Sequence, residues 1–204
     1  MAKKRTGKTD DRLKRRSPNK EPRKYILIVV EGQETEYNYF QALKADLRLA
    51  TAQIEVVPGC GGSPAFVVEE ARKLQQQKQP DVVFCVFDWD GKTEAYQQAV
   101  KQVKKYKFES AASIPCFEFW FLLHYRYTSG GFEGCDRVIS ELEKSMGAKY
   151  EKNLKMYQQL KPKLDTAIAN AKKLEADCEQ ELKSNNFHNP YTQVYQLVEL
   201  MRNQ

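Results

Sequence analysis

Residues 25–32 read YILIVVEG, six apolar or aromatic residues followed at once by a glutamate and a glycine. A second apolar run, VVFCVF at residues 82–87, is followed at once by DWD at residues 88–90. Runs that are apolar at nearly every position are typical of central strands in a parallel sheet, which helices cover on both faces. Ligands of such sheets gather at the carboxyl ends of the strands. We therefore expect both sets of acids at one edge of a sheet.

Strand-like and helix-like patterns alternate around these two runs. Ser63 is a plausible N-cap, and Pro64 suits the first position of the helix that follows. Strands separated by helices of about 10–15 residues indicate right-handed βαβ units. The predicted fold class is α/β, a Rossmann-like, mainly parallel sheet flanked by helices. The predicted helices cover residues 35–49, 65–76 and 93–106, and the further strands cover residues 53–57 and 108–112.

The C-terminal half is predicted to be helical. Residues 114–125 read IPCFEFWFLLHY, the most apolar stretch, in which Pro115 suits a helix start. This run is shorter than the roughly 18 residues that span a bilayer, so we expect a buried helix and no membrane segment. Helices are also expected at 134–147, 151–182 and 191–203, the middle one interrupted at Pro162. They could pack on the sheet or form an appendage.

The cysteines predict a reduced protein. Their number is odd, their spacing is wide, and no C-x-x-C pair occurs, which argues against a disulfide framework and against a zinc site. We expect Cys85 and Cys116, which lie in apolar runs, to be core thiols. No apolar stretch of signal-peptide type follows the basic N-terminal residues, so the expected location is the cytoplasm. The five cysteines are Cys60, Cys85, Cys116, Cys135 and Cys178.

The positive charge of the chain lies in its first residues. Residues 1–24 hold eleven Lys or Arg and three Asp or Glu, a net charge of +8, whereas the other 180 residues have a net charge of −2. We expect this tail to be disordered, because it has too little apolar surface to fold. It is either a nucleic-acid-binding arm or a solvated leader, and we favour the arm. The candidate phosphate contacts are Lys14, Arg15, Arg16, Arg23 and Lys24.

The acids after the two apolar runs are candidate metal ligands. Asp88 and Asp90, placed directly after a strand, could coordinate one Mg²⁺ or Mn²⁺, because hard cations prefer oxygen ligands. The simpler alternative is a polar turn that leads into Gly91. Glu31 favours the metal site over the polar turn, because its carboxylate would lie close to the aspartates if the two strands are neighbours. Three acids around one or two metals are typical of phosphodiester chemistry. Trp89 is expected to cover one side of this site.

Residues near these acids are supporting candidates, each with a simpler alternative. Gly32 would allow close backbone approach to a ligand or a positive φ. Glu36 would assist catalysis, or it would only stabilise the first turn of a helix, for which Thr35 would be the N-cap. Glu118, an acid inside an apolar run, would support the site or pair with a buried cation. His124 is a candidate base, although a hydrogen-bonded histidine at a helix end is the commoner arrangement.

Four ordered motifs resemble the RloB-like family, which is similar to the Toprim domains of OLD-type nucleases, topoisomerases and bacterial primases. The resemblance covers about residues 24–200. It implies that residues 25–204 form one Toprim-like domain that includes the C-terminal helices. The motifs are VEGQETEYNYF at 30–40, D-x-D at 88–90, PCFEFWFLLH at 115–124 and NPYTQV at 189–194.

The resemblance also implies a function. Glu31, Asp88 and Asp90 match the Toprim metal ligands, and Glu36 matches the second-metal acid, although the first motif has one residue more than the OLD-type pattern. The downstream lysine of OLD-type enzymes has no motif here, and Lys172 and Lys173 are the candidates. The expected function is Mg²⁺- or Mn²⁺-dependent cleavage of RNA, including tRNA, or of DNA, as an effector of antiphage defence by abortive infection.

Two other function classes stay open at this point. The chain could be a Toprim module that binds a nucleotide or nucleic acid without cleaving it, or a nucleotidyl or phosphoryl transferase. No ATPase motif is present, so any control by ATP would need a partner ATPase or a restriction-system component. A homodimer is a further alternative.

Overall fold

The computed structural model describes residues 24–50, 53–59, 61–152, 155–185 and 187–204. Four of the five predicted phosphate contacts in the basic tail, Lys14, Arg15, Arg16 and Arg23, lie outside the described residues, and Lys24 is exposed. No helix among the described residues is both long and apolar enough to span a membrane.

A parallel four-stranded sheet forms the centre of the fold, as predicted. Its strands are β1 (Ile26–Val30), β2 (Ile54–Pro58), β3 (Val82–Val86) and β4 (Glu109–Ser110), in the order β2-β1-β3-β4. Every residue of β1 is fully buried, which explains why this strand is apolar at each position. Three helices connect the strands: α1 (Thr35–Asp46), α2 (Pro64–Lys78) and α3 (Thr93–Tyr106). The structure thus confirms the α/β, Rossmann-like class.

The two faces of the sheet are covered by different helices. Leu27 and Val29 pack in one apolar cluster with residues of α2 and α3, whereas Ile26 and Ile28 pack in a second cluster with α1. This alternation follows from the pleat, which sends successive side chains to opposite faces. Residues on the face of Ile26 and Ile28 therefore share their side of the sheet with α1.

The C-terminal helices pack on the sheet and do not form an appendage. They are α4 (Glu118–Leu123), α5 (Cys135–Met146), α6 (Met156–Leu160), α7 (Leu164–Asp177), α8 (Glu179–Asn185) and α9 (Val194–Arg202). Trp120, Leu142, Ile168 and Val198 belong to the same buried cluster as Ile28. The sequence left open whether these helices pack on the sheet or form an appendage, and the structure shows that they pack on the sheet.

Three predicted helix boundaries are wrong. The helix predicted over 114–125 begins only at Glu118, because Ser113–Ile114 forms β5 and pairs antiparallel with β6 (Tyr191–Thr192). For the same reason the helix predicted from residue 191 begins at Val194. The helix predicted from residue 151 begins only at Met156. Its predicted interruption at Pro162 is confirmed by a 3₁₀ turn at Lys161–Lys163, where proline cannot donate a backbone hydrogen bond, and a second break follows at Cys178.

Gly59 brings the loop after β2 against the end of β1. Its N–H donates to the carbonyl oxygen of Val30 at 2.7 Å, and a Cβ at this position would lie 2.6 Å from that oxygen and 2.7 Å from the carbonyl oxygen of Glu31. Only glycine permits such close backbone approach. Gly59 thus lets the chain after β2 pack tightly against the end of β1.

We expect Gly59→Ala to lower the free energy of unfolding by about 1–2 kcal/mol, because the backbone atoms it would contact cannot move freely. Urea unfolding measures the change. Gly130→Ala is the matched control, since a Cβ there meets no atom within 4 Å. An equal effect of both substitutions would contradict this account of Gly59.

Candidate functional site: an acidic cavity at the carboxyl edge of the sheet

The acids after β1 and β3 converge, as the sequence predicts. The two strands are neighbours, with Val30 opposite Val86. The N–H of Glu31 donates to the carbonyl oxygen of Val86 at 3.0 Å, and Glu31 Oε2 accepts a hydrogen bond from the N–H of Asp88 at 3.2 Å. The Glu31 carboxylate is therefore held against the backbone of the D-x-D segment.

A cavity of about 530 Å³ opens at this edge and is strongly acidic. Among the described residues, Lys152 is the only basic side chain in its lining. So many carboxylates in one concave site attract cations. The acids that line the cavity are Glu31, Glu34, Glu36, Asp88, Asp90, Glu118 and Asp136.

Glu36 enters the cavity from the first turn of α1. Its side chain is buried, with 8% of the residue exposed. A Cβ on residue 32 would lie 2.6 Å from Glu36 Oε2, so Gly32 makes room for this carboxylate. Close approach, and not a positive φ, is therefore the role of Gly32. Interaction with the helix dipole alone would not require Glu36 to be buried in the cavity.

Thr35 is not the N-cap of α1. The N-cap residue is Glu34, and Thr35 lies inside the helix with its side chain buried. Thr35 Oγ1 lies 3.3 Å from the hydroxyl oxygen of Tyr150, within hydrogen-bonding distance. This contact joins the start of α1 to the loop after α5.

Asp88 has one carboxylate oxygen that is satisfied and one that is not. Oδ2 accepts a hydrogen bond from the N–H of Phe117 at 3.0 Å. Oδ1 is buried and has no hydrogen-bond partner among the described residues. A buried oxygen without a donor is costly, and a cation is the partner that an acidic cavity would supply. The donor set therefore fits a hard divalent cation.

Asp90 lines the cavity, whereas Trp89 lies outside it. Asp90 lies at the exposed rim of the cavity, with its N–H donating to the carbonyl oxygen of Pro115 at 3.0 Å. Trp89 does not cover the site. Its Nε1 donates to Thr93 Oγ1 at 3.1 Å, and its ring packs on Phe187 with the ring centres 5.4 Å apart. Alternation along the strand sends Trp89 to the opposite face of the sheet from Asp88.

Glu118 belongs to the cavity, and a tyrosine that the sequence analysis missed orients it. The residue is 3% exposed, and its Oε1 accepts a hydrogen bond from the hydroxyl of Tyr150 at 3.0 Å. No buried cation pairs with it among the described residues. The sequence around Tyr150 does not predict that it lies at the site, because only the packing of α5 brings its loop there.

Burial and mutual repulsion favour the protonated forms of these carboxyl groups. Burial, together with the nearby charges of Glu118 and Glu31, raises the pKa of Glu36 to about 7, against lowering by a backbone hydrogen bond and by the charge of Lys152. Burial, followed by the charges of Glu36 and Glu118, raises the pKa of Asp88 well above its usual range. Burial also raises the pKa of Glu31. A divalent cation would offset this repulsion.

The carboxylates of Glu31, Glu36, Asp88 and Glu118 do not form one tight group in the cavity. Among the described residues, the only His, Cys, Asp or Glu trio whose ligand atoms all lie within 4.8 Å of one another is Cys116, Glu118 and Cys135. The oxygens of Glu31, Glu36 and Asp88 are thus not gathered around one point, as repulsion between like charges predicts.

His124 and the two candidate lysines lie away from the cavity. His124 is buried at the end of α4, where Nδ1 donates to the carbonyl oxygen of Trp120 at 2.9 Å and burial lowers its pKa to about 4. Lys172 pairs with Glu199 at 2.7 Å. Lys173 lies over the ring of Tyr127, 4.2 Å from its centre. The lysine that lines the cavity is Lys152, from a loop without a motif.

The sequence-based argument against a disulfide is wrong for one pair of cysteines. Cys116 and Cys135 form a disulfide with their Cα atoms 5.6 Å apart, and both line the cavity. The chain reversal between α4 and α5 brings them together across 19 residues, which no short cysteine spacing could indicate. Of the two predicted core thiols, Cys85 is a buried free thiol, whereas Cys116 is buried but is not a thiol, because it forms the disulfide. Cys178 is a second buried free thiol.

The comparisons with known proteins give one match. Neither the search of curated proteins nor the search of solved structures found a match. The family of RloB-like proteins matches residues 26–201, a span that begins with β1 and ends in α9. It includes the strands, the acidic cavity and the C-terminal helices in one unit. Because this match covers well over half of the sequence, the chain belongs to the RloB-like protein family.

Proposed function

We propose that the acidic cavity binds Mg²⁺ or Mn²⁺ and that the protein is a metal-dependent nuclease of Toprim type. The observation that carries the proposal is the buried, unpartnered Oδ1 of Asp88 among three other carboxylates. Burial of so much like charge is unfavourable unless a cation is bound. A structural role alone would not require these acids at the carboxyl edge of a parallel sheet.

Three residues would hold the metal: Glu31, Asp88 and Asp90. Glu36 and Glu118 also line the cavity and would complete the coordination of a second ion. Bound there, the metal would activate the attacking nucleophile and stabilise the leaving oxygen of a phosphodiester. This assignment is supported by the resemblance of the EGQETE and D-x-D motifs to Toprim domains.

The chain itself would position the ligands and move a proton. The N–H of Phe117 fixes the orientation of Asp88, and the hydroxyl of Tyr150 fixes that of Glu118. Glu36, whose pKa is raised to about 7 in the metal-free cavity, would release its proton when a second ion binds. Lys152 faces the cavity and would attract the phosphate of the substrate.

The proposed substrate is RNA, with tRNA as the first to be tested, or DNA, and the proposed role is antiphage defence by abortive infection in the cytoplasm. The resemblance to RloB relatives that lie beside restriction systems supports this role. The net charge of +8 in residues 1–24 supports a polyanionic substrate, since basic tails contribute sequence-independent affinity for phosphates.

Sequencing the RNA and DNA ends of cells that express either wild type or Glu31→Gln tests the function. We expect cleavage ends that are present only with the wild type, and their positions would identify the substrate. Glu94→Gln, in the first turn of α3 and outside the cavity lining, is the matched control and should behave as wild type. Identical end profiles for wild type and Glu31→Gln during phage infection would contradict a nuclease function.

We expect Lys152→Met to lower the cleavage rate by about 10-fold, because one charge contact to the substrate phosphate is lost. The rate with a short labelled oligonucleotide of the identified sequence measures the effect, and Lys152→Arg should restore most of it. Lys155→Met, a lysine outside the cavity lining, is the control. Equal rates for Lys152→Met and wild type would exclude this role of Lys152.

A further inference from the structure

A second cluster of potential ligands lies in the wall of the acidic cavity. Cys116, Glu118 and Cys135 each place one ligand atom within 4.8 Å of the others. Cys135 Sγ lies 3.4 Å from Glu118 Oε2, on the side of the carboxylate that does not face Tyr150. Cys116 and Glu118 are buried and Cys135 is half-buried, and all three line the cavity.

The disulfide between the two cysteines is a bond that a reductant can open. In the structure described here they form a disulfide. A dithiol reductant would break the S–S bond by donating two electrons and two protons, leaving two thiols and converting the reductant to its own disulfide. Because α4 and α5 are packed in the same apolar core, the thiols would stay next to each other and to Glu118.

We propose that the reduced pair, together with Glu118, forms a binding site for a thiophilic divalent cation of the Zn²⁺ class. Two thiolates and one carboxylate are three of the four ligands that such a cation takes, and water from the cavity would be the fourth. Both thiol protons leave to solvent when the cation binds. The disulfide cannot bind it, since no thiolate is then available.

The chemistry of the donors separates this site from the proposed Mg²⁺ site. Thiolates are soft ligands that Mg²⁺ does not select, whereas Asp88 and Glu31 offer only oxygen. Glu118 is the one side chain that both sites share. Binding of a thiophilic cation would draw Glu118 Oε2 toward the cysteines, so that redox state and metal supply could both act on the acidic cavity.

The site does not depend on the proposed nuclease function. Its ligands are Cys116, Glu118 and Cys135, separated by 2 and 17 positions in the sequence, a spacing that resembles no zinc motif. The sequence-based argument against zinc considered only closely spaced cysteines. The fold supplies the proximity that the spacing lacks.

Titration of the full chain with Co²⁺, after reduction with a phosphine under argon, tests the proposal. Co²⁺ replaces Zn²⁺ in thiolate sites and gives a sulfur-to-metal charge-transfer absorption. We expect this absorption in the reduced wild type, with loss upon addition of Zn²⁺ but not of Mg²⁺. The oxidised wild type should lack it, a comparison that requires no substitution and therefore does not depend on how a variant folds.

Substitutions identify the ligands. Cys135→Ala, at the half-buried position, should weaken binding by about 100-fold or more, and Glu118→Gln by about 10-fold. Cys178→Ala removes a buried thiol outside the cavity lining and should leave binding unchanged. The proposal is overturned if the reduced wild type gives no charge-transfer absorption, or if Cys135→Ala, folded by circular dichroism, binds Co²⁺ as tightly as the wild type.

Discussion

Asp88→Asn is expected to lower metal-dependent cleavage by about 10³-fold, the order found when one electrostatic group of an active site is removed. Asparagine keeps the shape of the side chain and can still accept the hydrogen bond from the N–H of Phe117. It removes the charge from the oxygen that is buried without a partner. The loss would therefore report on the metal ligand and not on the fold.

Stability separates this explanation from unfolding. Asp88→Asn removes one of several charges that repel one another, so the metal-free variant should be at least as stable as the wild type. Asp81→Asn is the matched control, because Asp81 precedes β3 where Asp88 follows it, and its carboxylate accepts a hydrogen bond from the N–H of Tyr25 outside the cavity. If Asp88→Asn retains full activity, or if Asp81→Asn loses as much, the proposed role of Asp88 is wrong.

Mg²⁺ is expected to raise the melting temperature by about 5–10 °C at pH 8 and by much less at pH 5.5. A ligand present at 100 times its dissociation constant stabilises the folded state by about 2.7 kcal/mol, and each kcal/mol raises the melting temperature of a chain of this size by about 2–4 °C. Protons compete with the cation for the same carboxylates. Thermal unfolding with and without Mg²⁺ at both pH values measures the difference.

The direction of this pH dependence follows from the pKa of Glu36, which is raised from 4.5 to about 7 in the folded state. Between these values the folded state binds more protons than the unfolded state, so the metal-free protein loses stability as pH rises through this window. Above it the carboxylates are charged, and a cation then gives its full stabilisation. Glu36→Gln should therefore be more stable than wild type at pH 8 without metal, because it removes a carboxylate that burial disfavours.

His124 changes the stability with pH in the opposite direction to Glu36, so its contribution must be removed from the comparison. Burial lowers its pKa from 6.5 to about 4, so it makes the folded state less stable as pH falls below 6.5. This contribution is the same with and without Mg²⁺, and the same in wild type and Glu36→Gln. The quantity to compare is therefore the change in melting temperature upon adding Mg²⁺. An increment that does not grow between pH 5.5 and pH 8 would contradict cation binding by these acids.

The strands and the convergence of Glu31 with Asp88 could be predicted because both depend on local patterns. An apolar run that ends in an acid shows where a strand ends, and adjacency of β1 and β3 then places the acids together. Glu36 could be placed on α1, but its burial against Gly32 depends on the loop geometry. Periodicity does not contain that information.

Tyr150, Lys152 and the Cys116–Cys135 pair could not be predicted, because tertiary packing alone brings them to the site. Tyr150 and Lys152 lie in the loop after α5 and Cys135 begins α5, whereas Cys116 lies between β5 and α4. Packing of α4 and α5 in one apolar core brings these segments to the cavity. The shortened α4 has a similar cause: pairing of β5 with β6, 77 positions apart at Ile114 and Tyr191, replaces the first turns of the expected helix.

Electron paramagnetic resonance of Mn²⁺ tests the central claim most directly, because free and protein-bound Mn²⁺ give different signals and no substrate is needed. Wild type, Asp88→Asn and Asp81→Asn would be titrated at pH 8 in the oxidised state, in which the cysteine pair has no thiolate to offer. We predict saturable Mn²⁺ binding by wild type and Asp81→Asn, competed by Mg²⁺ and weakened at least about 10-fold in Asp88→Asn. Binding of equal strength in all three proteins, or in none, would contradict a divalent-cation site in the acidic cavity.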